Sequence, residues 1–166
     1  SGLANDKGDV LYIYYGRIQE DQKRVSRLLA MPKKELILYG SLGVNSDVLI
    51  NKGYKYCGTV EDLDVVLESN KGKYLIALLC SDHEGLPLSI FELLARNIPV
   101  ISTCSSPGIE WLSRNVSGLK LIPFDFKYED IVRAQKEINR ETNFRDEILK
   151  LSQMWKKEWI NIFNDK

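Results

Sequence analysis

The chain has 166 residues, 44% of them hydrophobic, and its 23 basic residues balance 23 acidic ones. This length predicts one domain with a substantial core, and the neutral balance gives no support for nucleic acid as the main partner. No apolar run reaches the roughly 18 residues of a membrane span, and the polar first ten residues do not resemble a signal peptide. Three scattered cysteines, Cys57, Cys80 and Cys104, favour buried thiols in a reducing, cytoplasmic compartment.

Short apolar runs along the chain predict six strands. These are Val10–Tyr15, Glu35–Tyr39, Tyr54–Cys57, Tyr74–Cys80, Pro99–Ser102 and Leu119–Ile122. The longest run, Tyr74–Cys80, shows no alternation of polar and apolar residues, which is typical of a strand covered on both faces.

Segments with helical periodicity separate and follow these strands. They lie near residues 20–31, 45–51, 61–69, 87–96, 108–114, 127–139 and 142–163. Strand and helix in alternation predict an α/β fold with a doubly wound parallel sheet, Rossmann-like, of about six strands with extra C-terminal helices. Right-handed crossovers would place the loops that follow the strands on one rim. Pro87 suits the first turn of its helix, and Asn97 suits a left-handed residue at its end.

Two glutamates eight residues apart, Glu84 and Glu92, lie around the start of the helix at 87–96. Glu84 is predicted in the rim loop after the fourth strand, and Glu92 two turns into the helix. Eight helical residues rise about 12 Å, whereas paired hydrolase carboxylates lie roughly 5 to 9.5 Å apart. The spacing therefore favours two acids that hold opposite ends of a long polar ligand.

The start of this helix is a predicted anion site. Backbone N–H groups from Gly85 to Ser89 point towards the rim, and the helix dipole reinforces them. Gly85 allows a ligand to approach the backbone closely. A carboxylate beside such a site, Glu84, suits uncharged hydroxyls next to a phosphate, as in a phosphate-linked sugar. Glu92 has two interpretations: a surface carboxylate bonded to Arg96, or an acceptor for two ribose hydroxyls.

Two basic residues, Arg17 and Lys23, follow the first strand on the same rim. Together they could neutralise a diphosphate without a metal ion. Arg24 and Arg27 are predicted to be a solvated basic helix face. The single histidine, His83, is expected to be a partly buried rim residue, and no metal site is expected because no Asp-x-Asp pair ends a strand.

Motifs of several other α/β classes are absent from the sequence. The first strand is not followed by the Gly-x-Gly-x-x-Gly of a dehydrogenase, and no phosphate-binding Gly-x-x-x-x-Gly-Lys-Ser/Thr loop occurs. No Gly-x-Ser-x-Gly nucleophile elbow precedes a histidine.

The sequence resembles the C-terminal nucleotide-sugar-binding domain of retaining glycosyltransferases with two Rossmann-like domains. This is the GT-B type family with a Glu-x7-Glu motif, which includes glycogen synthases and many capsule and lipopolysaccharide transferases. The matching motifs, in the family's order, are Gly16-Arg17…Lys23, Leu38-Tyr39-Gly40, Gly58-Thr59-Val60, Ser81…Glu84-Gly85-Leu86-Pro87…Glu92 and Pro99-Val100-Ile101. Asn97 replaces the family's usual glycine, and Ser105-Ser106-Pro107-Gly108 replaces its common Gly-Gly turn.

The resemblance implies a role for each matched position. Catalytic roles fall on Glu84, which would bind hydroxyls of the transferred sugar, and on Arg17 and Lys23, which would contact the donor diphosphate. The full set of implied donor-binding residues is Gly16, Arg17, Lys23, Gly58, Thr59, Val60, Glu84, Gly85, Leu86, Pro87, Leu88 and Glu92. In this set Glu92 holds the ribose, Gly58 to Val60 border the base, and Gly85 to Leu88 cradle phosphate and sugar.

The resemblance also implies an activity. This activity is retaining transfer of a hexosyl group from a nucleotide-diphosphate sugar to a glycan or glycolipid acceptor. UDP-sugars are favoured as donors on family frequency, and no cofactor is required. The family's N-terminal acceptor domain is missing from this chain, whose first residues, Ser1-Gly2, suggest a cloned fragment with little or no activity alone. The full-length enzyme would be cytoplasmic and could associate peripherally with the inner face of the membrane.

Two alternatives remain open from the sequence. One is a non-catalytic nucleotide-sugar-binding or interaction module of the same fold, and the other is a nucleotide-sugar epimerase domain. A separate question concerns Trp155 and Trp159, four residues apart and so on one helix face. They are predicted either to pack on this domain or to present a surface to the missing half.

Overall fold

The computed structural model describes the backbone of residues 5–164 and the side chains of residues 5–157. Six strands form one parallel sheet. They are β1 (Asp9–Tyr15), β2 (Leu36–Tyr39), β3 (Lys55–Tyr56), β4 (Lys73–Leu79), β5 (Val100–Thr103) and β6 (Leu119–Ile122). Their order in the sheet is β3-β2-β1-β4-β5-β6. The six predicted strands and the doubly wound α/β fold are therefore confirmed.

Six α-helices accompany these strands in the described part of the chain. They are α1 (Asp47–Asn51), α2 (Leu63–Ser69), α3 (Leu88–Ala95), α4 (Pro107–Asn115), α5 (Tyr128–Lys136) and α6 (Phe144–Asn164). The prediction of a helix at 20–31 is wrong over most of its length, because only a short 3₁₀ helix, Val25–Ala30, forms there. Arg24 immediately before it has a left-handed backbone with φ 50°, which an α-helix of L-residues does not accommodate.

The core lies on both faces of the central strands. Tyr74 to Leu78 of β4 are all buried, as the unbroken apolar run predicts for a strand covered on two sides. Helix α3 buries Ile90, Leu93 and Leu94 against the sheet. Asn97 ends this segment with φ 58°, which confirms the predicted left-handed residue. Pro87 lies one position earlier than predicted, at the N-cap and not in the first turn.

The strand order reverses between β1 and β4, and this reversal positions the site. The chain leaves β1 towards β2 on one side, and it leaves β4 towards β5 on the other. The loops after β1 and β4 therefore diverge and leave a crevice at the carboxyl ends of the strands, where open α/β sheets bind ligands. The loops after β1 and β2 are in close contact: a Cβ at Gly40 would lie 1.7 Å from the Gly16 carbonyl oxygen. Only glycine fits at Gly40.

The C-terminal helix α6 packs against α3. Its Trp155 ring stacks on Trp111 with centroids 5.3 Å apart and lies 6.4 Å from Phe91. Trp155 therefore packs on its own domain, as one of the two interpretations predicts. Trp159 lies outside the residues whose side chains are described, and a role towards another domain stays a prediction. None of the helices in the described part of the chain is long and apolar enough to cross a membrane.

Candidate functional site

An ion pair between Lys23 and Glu84 connects the two loops that border the crevice. Lys23 comes from the loop after β1 and Glu84 from the loop after β4, and their charged groups are in direct contact. The pair is largely shielded, since the Lys23 side chain is 24% exposed and that of Glu84 13%. The loops are also joined through Gln22, whose side-chain amide donates to the His83 carbonyl at 2.9 Å. The sequence prediction that Lys23 and Glu84 share this rim is confirmed.

Glu84 is held at both its side chain and its backbone. The Ser81 hydroxyl donates to Glu84 Oε1 at 2.9 Å, and the Glu84 N–H donates to the Ser105 carbonyl at 3.1 Å. Ser81 is itself buried, and its carbonyl accepts a 2.8 Å hydrogen bond from the Thr103 hydroxyl. The loop after β5 thus supports the loop after β4, and these hydrogen bonds define the position of the Glu84 carboxylate.

Arg24 and Arg27 are not the solvated basic face that the sequence predicts. Arg27 Nη2 lies 2.5 Å from Asp82 Oδ1, and Arg24 Nε lies 3.5 Å from Asp82 Oδ2. Arg27 also donates to the Cys80 carbonyl and lies over the Phe124 ring. The left-handed backbone at Arg24 directs this segment back onto the loop after β4, so that both arginines help to connect the two loops.

The start of α3 is accessible to a ligand. Its N-cap residue, Pro87, provides no side-chain hydrogen bond to the first turn. A Cβ built on Gly85 would meet no atom within 4 Å, so the space above this residue is open. The Ser106 hydroxyl donates to the Gly85 carbonyl at 2.6 Å and so fixes the loop from below. Leu88 is 76% exposed. Uncapped N–H groups at a helix start are a suitable site for an anion.

Glu92 lies in a separate cleft of about 500 Å³ beside α3. The cleft is also lined by Tyr15 at the end of β1, by Glu61 and Asp62 before α2, and by Phe91. Glu92 is exposed and forms no hydrogen bond or ion pair with any residue whose side chain is described. Glu92 is thus a surface carboxylate, as one of its two interpretations predicts, but the bond to Arg96 that this interpretation adds does not form.

Arg96 lines the same cleft but is engaged elsewhere. Its Nε donates to Asp64 Oδ1 at 2.9 Å. Asp64 belongs to α2 and Arg96 caps α3, so this ion pair ties the two helices together. The carboxylate of Glu92 therefore remains available to a ligand.

The local electrostatics differ between the cleft at Glu92 and the region of the Lys23–Glu84 ion pair. Burial, followed by the carboxylates of Glu92 and Asp62, raises the pKa of the Tyr15 phenol above its usual value. On the other side, burial raises the pKa of the Cys80 thiol to about 12. The Cys80 thiol donates to the carbonyl oxygens of Lys23 and Arg24. Cys80 is therefore a structural thiol beneath the ion pair, without nucleophilic character at neutral pH.

Arg17, the segment Gly58–Val60 and His83 are the other predicted residues of this rim. Arg17 is exposed on the rim, and its side chain extends towards the loop after β2, where a Cβ built on Gly43 would lie 3.0 Å from Arg17 Nε. Gly58 has a left-handed backbone with φ 79° and begins the Gly58–Val60 segment, which leads into the cleft residues Glu61 and Asp62. His83 is exposed, in contrast to its predicted partial burial.

Several residues of the site were assigned no role from the sequence. Ser81 supports Glu84, Ser106 supports Gly85, and Tyr15, Glu61 and Asp62 line the cleft. For Ser81 a local signal exists, because a serine three residues before a loop carboxylate is within reach of it. Within the described residues, no group of three or more His, Cys, Asp or Glu side chains could hold a metal ion.

No protein-family profile and no curated protein matches this sequence. Solved structures do resemble it. The apo form of the lipopolysaccharide outer core galactosyltransferase WaaB is 22% identical with a TM-score of 0.59, and the match covers 90% of this chain and 48% of WaaB. The sucrose-phosphate synthase from Thermosynechococcus elongatus is 16% identical with a TM-score of 0.60, over 93% of this chain and 46% of that enzyme.

A third structure is the C-terminal domain of the glycosyl transferase group 1 family protein LpcC from Francisella tularensis. It is 14% identical with a TM-score of 0.51, and the match covers 89% of this chain and 87% of that domain. By contrast, the chain spans less than half the length of WaaB and of the sucrose-phosphate synthase. Taken with the strand order and the crevice at its reversal, these similarities show that the chain has the Rossmann-like fold of a GT-B glycosyltransferase domain.

Proposed function

We propose that this domain binds a nucleotide-diphosphate sugar and acts as the donor-binding, C-terminal domain of a retaining hexosyltransferase. The observation that carries the proposal is the arrangement around α3. A cation, a fixed carboxylate and an open helix start lie at one end. Beside the same helix lies a cleft with a carboxylate, Glu92, that has no partner among the described side chains. A diphosphate between a sugar and a nucleoside fits this order of groups.

The diphosphate would occupy the start of α3. Lys23 supplies a positive charge there, and the uncapped N–H groups supply donors at a position that Gly85 leaves open. Arg17 lies on the same rim and would have to turn away from Gly43 to add a second charge. With these cations the proposal requires no metal cofactor, because lysine, arginine and a helix start together can neutralise a diphosphate.

The sugar would bind beside Glu84. The Glu84 carboxylate accepts from Lys23 and Ser81. A diphosphate that competes for Lys23 would release Glu84 from its cation, and the carboxylate, still held by Ser81, could then accept hydrogen bonds from sugar hydroxyls. Donor phosphate and donor sugar would thereby be recognised together.

The nucleoside would occupy the cleft at Glu92. A carboxylate can accept hydrogen bonds from two neighbouring hydroxyls, and the 2′ and 3′ hydroxyls of a ribose provide such a pair. The segment Gly58–Val60 leads into the same cleft and would border the base. This placement assigns the two acids of the motif to the two ends of the donor.

Transfer itself needs an acceptor site that we assign to a further domain. We propose that such a domain supplies a glycan or glycolipid acceptor and that the enzyme works in the cytoplasm, where a peripheral association with the inner membrane surface would bring it to lipid-linked acceptors. The isolated chain is then expected to bind donor weakly and to transfer little.

The test is a calorimetric titration of the chain with UDP, GDP and ADP, with their sugar conjugates, and with AMP, ATP and NAD as controls. UDP is the reference nucleotide because of its frequency in the family. We expect one diphosphate nucleotide to bind preferentially, to keep its affinity in excess EDTA and to lose affinity as salt rises. Equal weak binding of all six nucleotides would contradict the proposal, and strict dependence on Mg²⁺ or Mn²⁺ would contradict its metal-free form.

A further inference from the structure

The cleft at Glu92 combines aromatic side chains with an excess of carboxylates. Tyr15 and Phe91 contribute rings, and Glu61, Asp62 and Glu92 contribute acids. Arg96 is the one cation among the described residues that line the cleft, and it is paired with Asp64. A base that enters between these residues meets apolar surface and hydrogen-bond acceptors. The cleft therefore favours a base that donates hydrogen bonds over one that accepts them.

The two acids before α2 differ in their availability. Asp62 is the N-cap of α2, and its Oδ1 accepts from the Asp64 N–H at 2.8 Å. One of its oxygens is thus committed to the helix. Glu61 is exposed and has no hydrogen-bond or ion-pair partner among residues 5–157. Both oxygens of Glu61 are free to accept from a ligand in the cleft.

The four common bases present different edges to a carboxylate. Guanine has two adjacent donors, N1–H and the 2-amino group, which match the two oxygens of one carboxylate. Uracil has a single N3–H between two carbonyl oxygens, which a carboxylate repels. Adenine and cytosine each have one amino group beside an unprotonated ring nitrogen, so the second carboxylate oxygen would face a lone pair. Paired hydrogen bonds to a charged group are the strong ones and give geometric specificity.

We propose that the nucleotide of the donor is guanosine diphosphate and that Glu61 determines this choice by accepting hydrogen bonds from N1–H and the 2-amino group of guanine. The proposal rests on the proposed function, because it takes the Glu92 cleft as the nucleoside site. The choice of UDP follows from family frequency. The choice of GDP, which replaces it here, follows from the acids in this cleft.

The surrounding charges agree with this assignment. After burial, the carboxylates of Glu92 and Asp62 help to raise the pKa of the Tyr15 phenol, so both act on this ring of the cleft. Carboxylates in the lining attract the donor edge of guanine and repel the carbonyl oxygens of uracil. Glu92 remains free for the ribose, since Glu61 lies on a different element, just before α2, and Glu92 lies in α3.

The experiment compares GDP, IDP, UDP and ADP by calorimetry on the wild-type chain and on the Glu61→Ala and Glu61→Gln variants. IDP differs from GDP only by the missing 2-amino group, so the ratio of their affinities measures one charge-assisted hydrogen bond. We expect GDP to bind tightest and IDP about tenfold more weakly. Glu61→Ala should bring the ratio of GDP to IDP affinity close to one. Glu68→Gln, a change at another exposed acid of α2, should leave the ratio unchanged.

The outcomes separate the two proposals. If UDP binds as tightly as GDP or more tightly, the guanine assignment is wrong while the nucleotide site stands. If GDP is preferred but the ratio of GDP to IDP affinity is the same in Glu61→Ala, the role of Glu61 is wrong. If none of the four diphosphates binds, the proposed function itself is wrong, and the guanine assignment with it. Wild-type selectivity alone decides the base, and circular dichroism checks that the variants are folded.

Discussion

The two acids of the Glu-x7-Glu motif lie in different surroundings. Glu84 is shielded, contacts Lys23 and Ser81 through its side chain and is fixed to Ser105 through its backbone. Glu92 is exposed and has no partner within the described side chains. The position of the first acid is therefore fixed by its neighbours, whereas none of the described side chains fixes the second. Two residues of the same type in one short motif can therefore differ in how firmly their neighbours hold their side chains.

The largest expected difference between the two regions is in thiol reactivity. The prediction of buried thiols is confirmed for Cys80 and wrong for Cys57. Cys57 is exposed just before the segment that leads to the cleft, whereas Cys80 is buried under the ion pair with its pKa raised to about 12. Because burial raises the pKa of Cys80 and shields its sulfur, almost none of this thiol is present as reactive thiolate at neutral pH. Alkylation with iodoacetamide, followed by peptide mass spectrometry, should modify Cys57 at least about a hundredfold faster. Similar rates would mean that the Glu84 region opens readily.

The next effect concerns the stability of the shielded ion pair. Lys23→Ala leaves the Glu84 carboxylate, 13% exposed, without its cation. We expect the free energy of unfolding to fall by about 2 kcal/mol, because an unpaired shielded charge costs more than an exposed one. Urea denaturation measures this change.

The matched control is Lys7→Ala, because Lys7 pairs with Glu141 where both side chains are more than 60% exposed. This variant should lose less than about 0.5 kcal/mol. The double variant Lys23→Ala/Glu84→Gln should recover part of the loss by removing the unpaired charge. Equal losses for Lys23→Ala and Lys7→Ala would show that the Lys23–Glu84 pair is no better shielded than a surface pair.

A smaller effect is expected at the open end of the motif. Glu92→Gln should leave the free energy of unfolding unchanged, because Glu92 has no partner to lose among the described side chains. It should weaken binding of a ribonucleoside diphosphate by roughly 1–3 kcal/mol, the range for hydrogen bonds to a charged group. The 2′-deoxy analogue should lose much less. Calorimetry with both ligands decides this, and equal losses would mean that Glu92 does not contact the ribose.

The smallest effect is a change in the titration of Tyr15. Burial and the carboxylates of Glu92 and Asp62 raise the pKa of this phenol. Removing the charge in Glu92→Gln should therefore lower the pKa of Tyr15 towards its usual value, although burial keeps part of the shift. NMR titration of the tyrosine ring carbons, assigned with Tyr15→Phe, measures it. A pKa of Tyr15 that does not change in Glu92→Gln would place the carboxylate away from the ring.

The sequence predicts the sheet well for a physical reason. Strands such as Tyr74–Cys80 are covered on both faces, so that burial and β-structure coincide in one apolar run. Asn97 also follows a local rule, because few other residues adopt its left-handed backbone at a helix end. The grouping of Lys23 with Glu84 follows from topology, which brings the loops after β1 and β4 to one crevice.

Local patterns do not predict the rest of the site. The segment at 20–31 is rich in helix-forming residues, yet its Arg24 and Arg27 bind Asp82, about 55 residues further along the chain, and the helix does not form. The pairing of Arg96 with Asp64 and not with Glu92 has the same origin. Such ion pairs depend on which segments of the chain meet in three dimensions. The spacing of charges along the sequence does not contain this information.

The short strand β3 has a practical consequence. Only Lys55 and Tyr56 form this edge of the sheet, and Lys55 is exposed. Natural proteins use brief, lysine-bearing edge strands because these resist pairing with the edge of a neighbouring molecule. The weak donor binding that we propose would have to be measured at high protein concentration, where edge-to-edge aggregation would otherwise limit the sample. The edge at β3 favours a chain that stays dispersed under those conditions, which suits it to calorimetry and NMR.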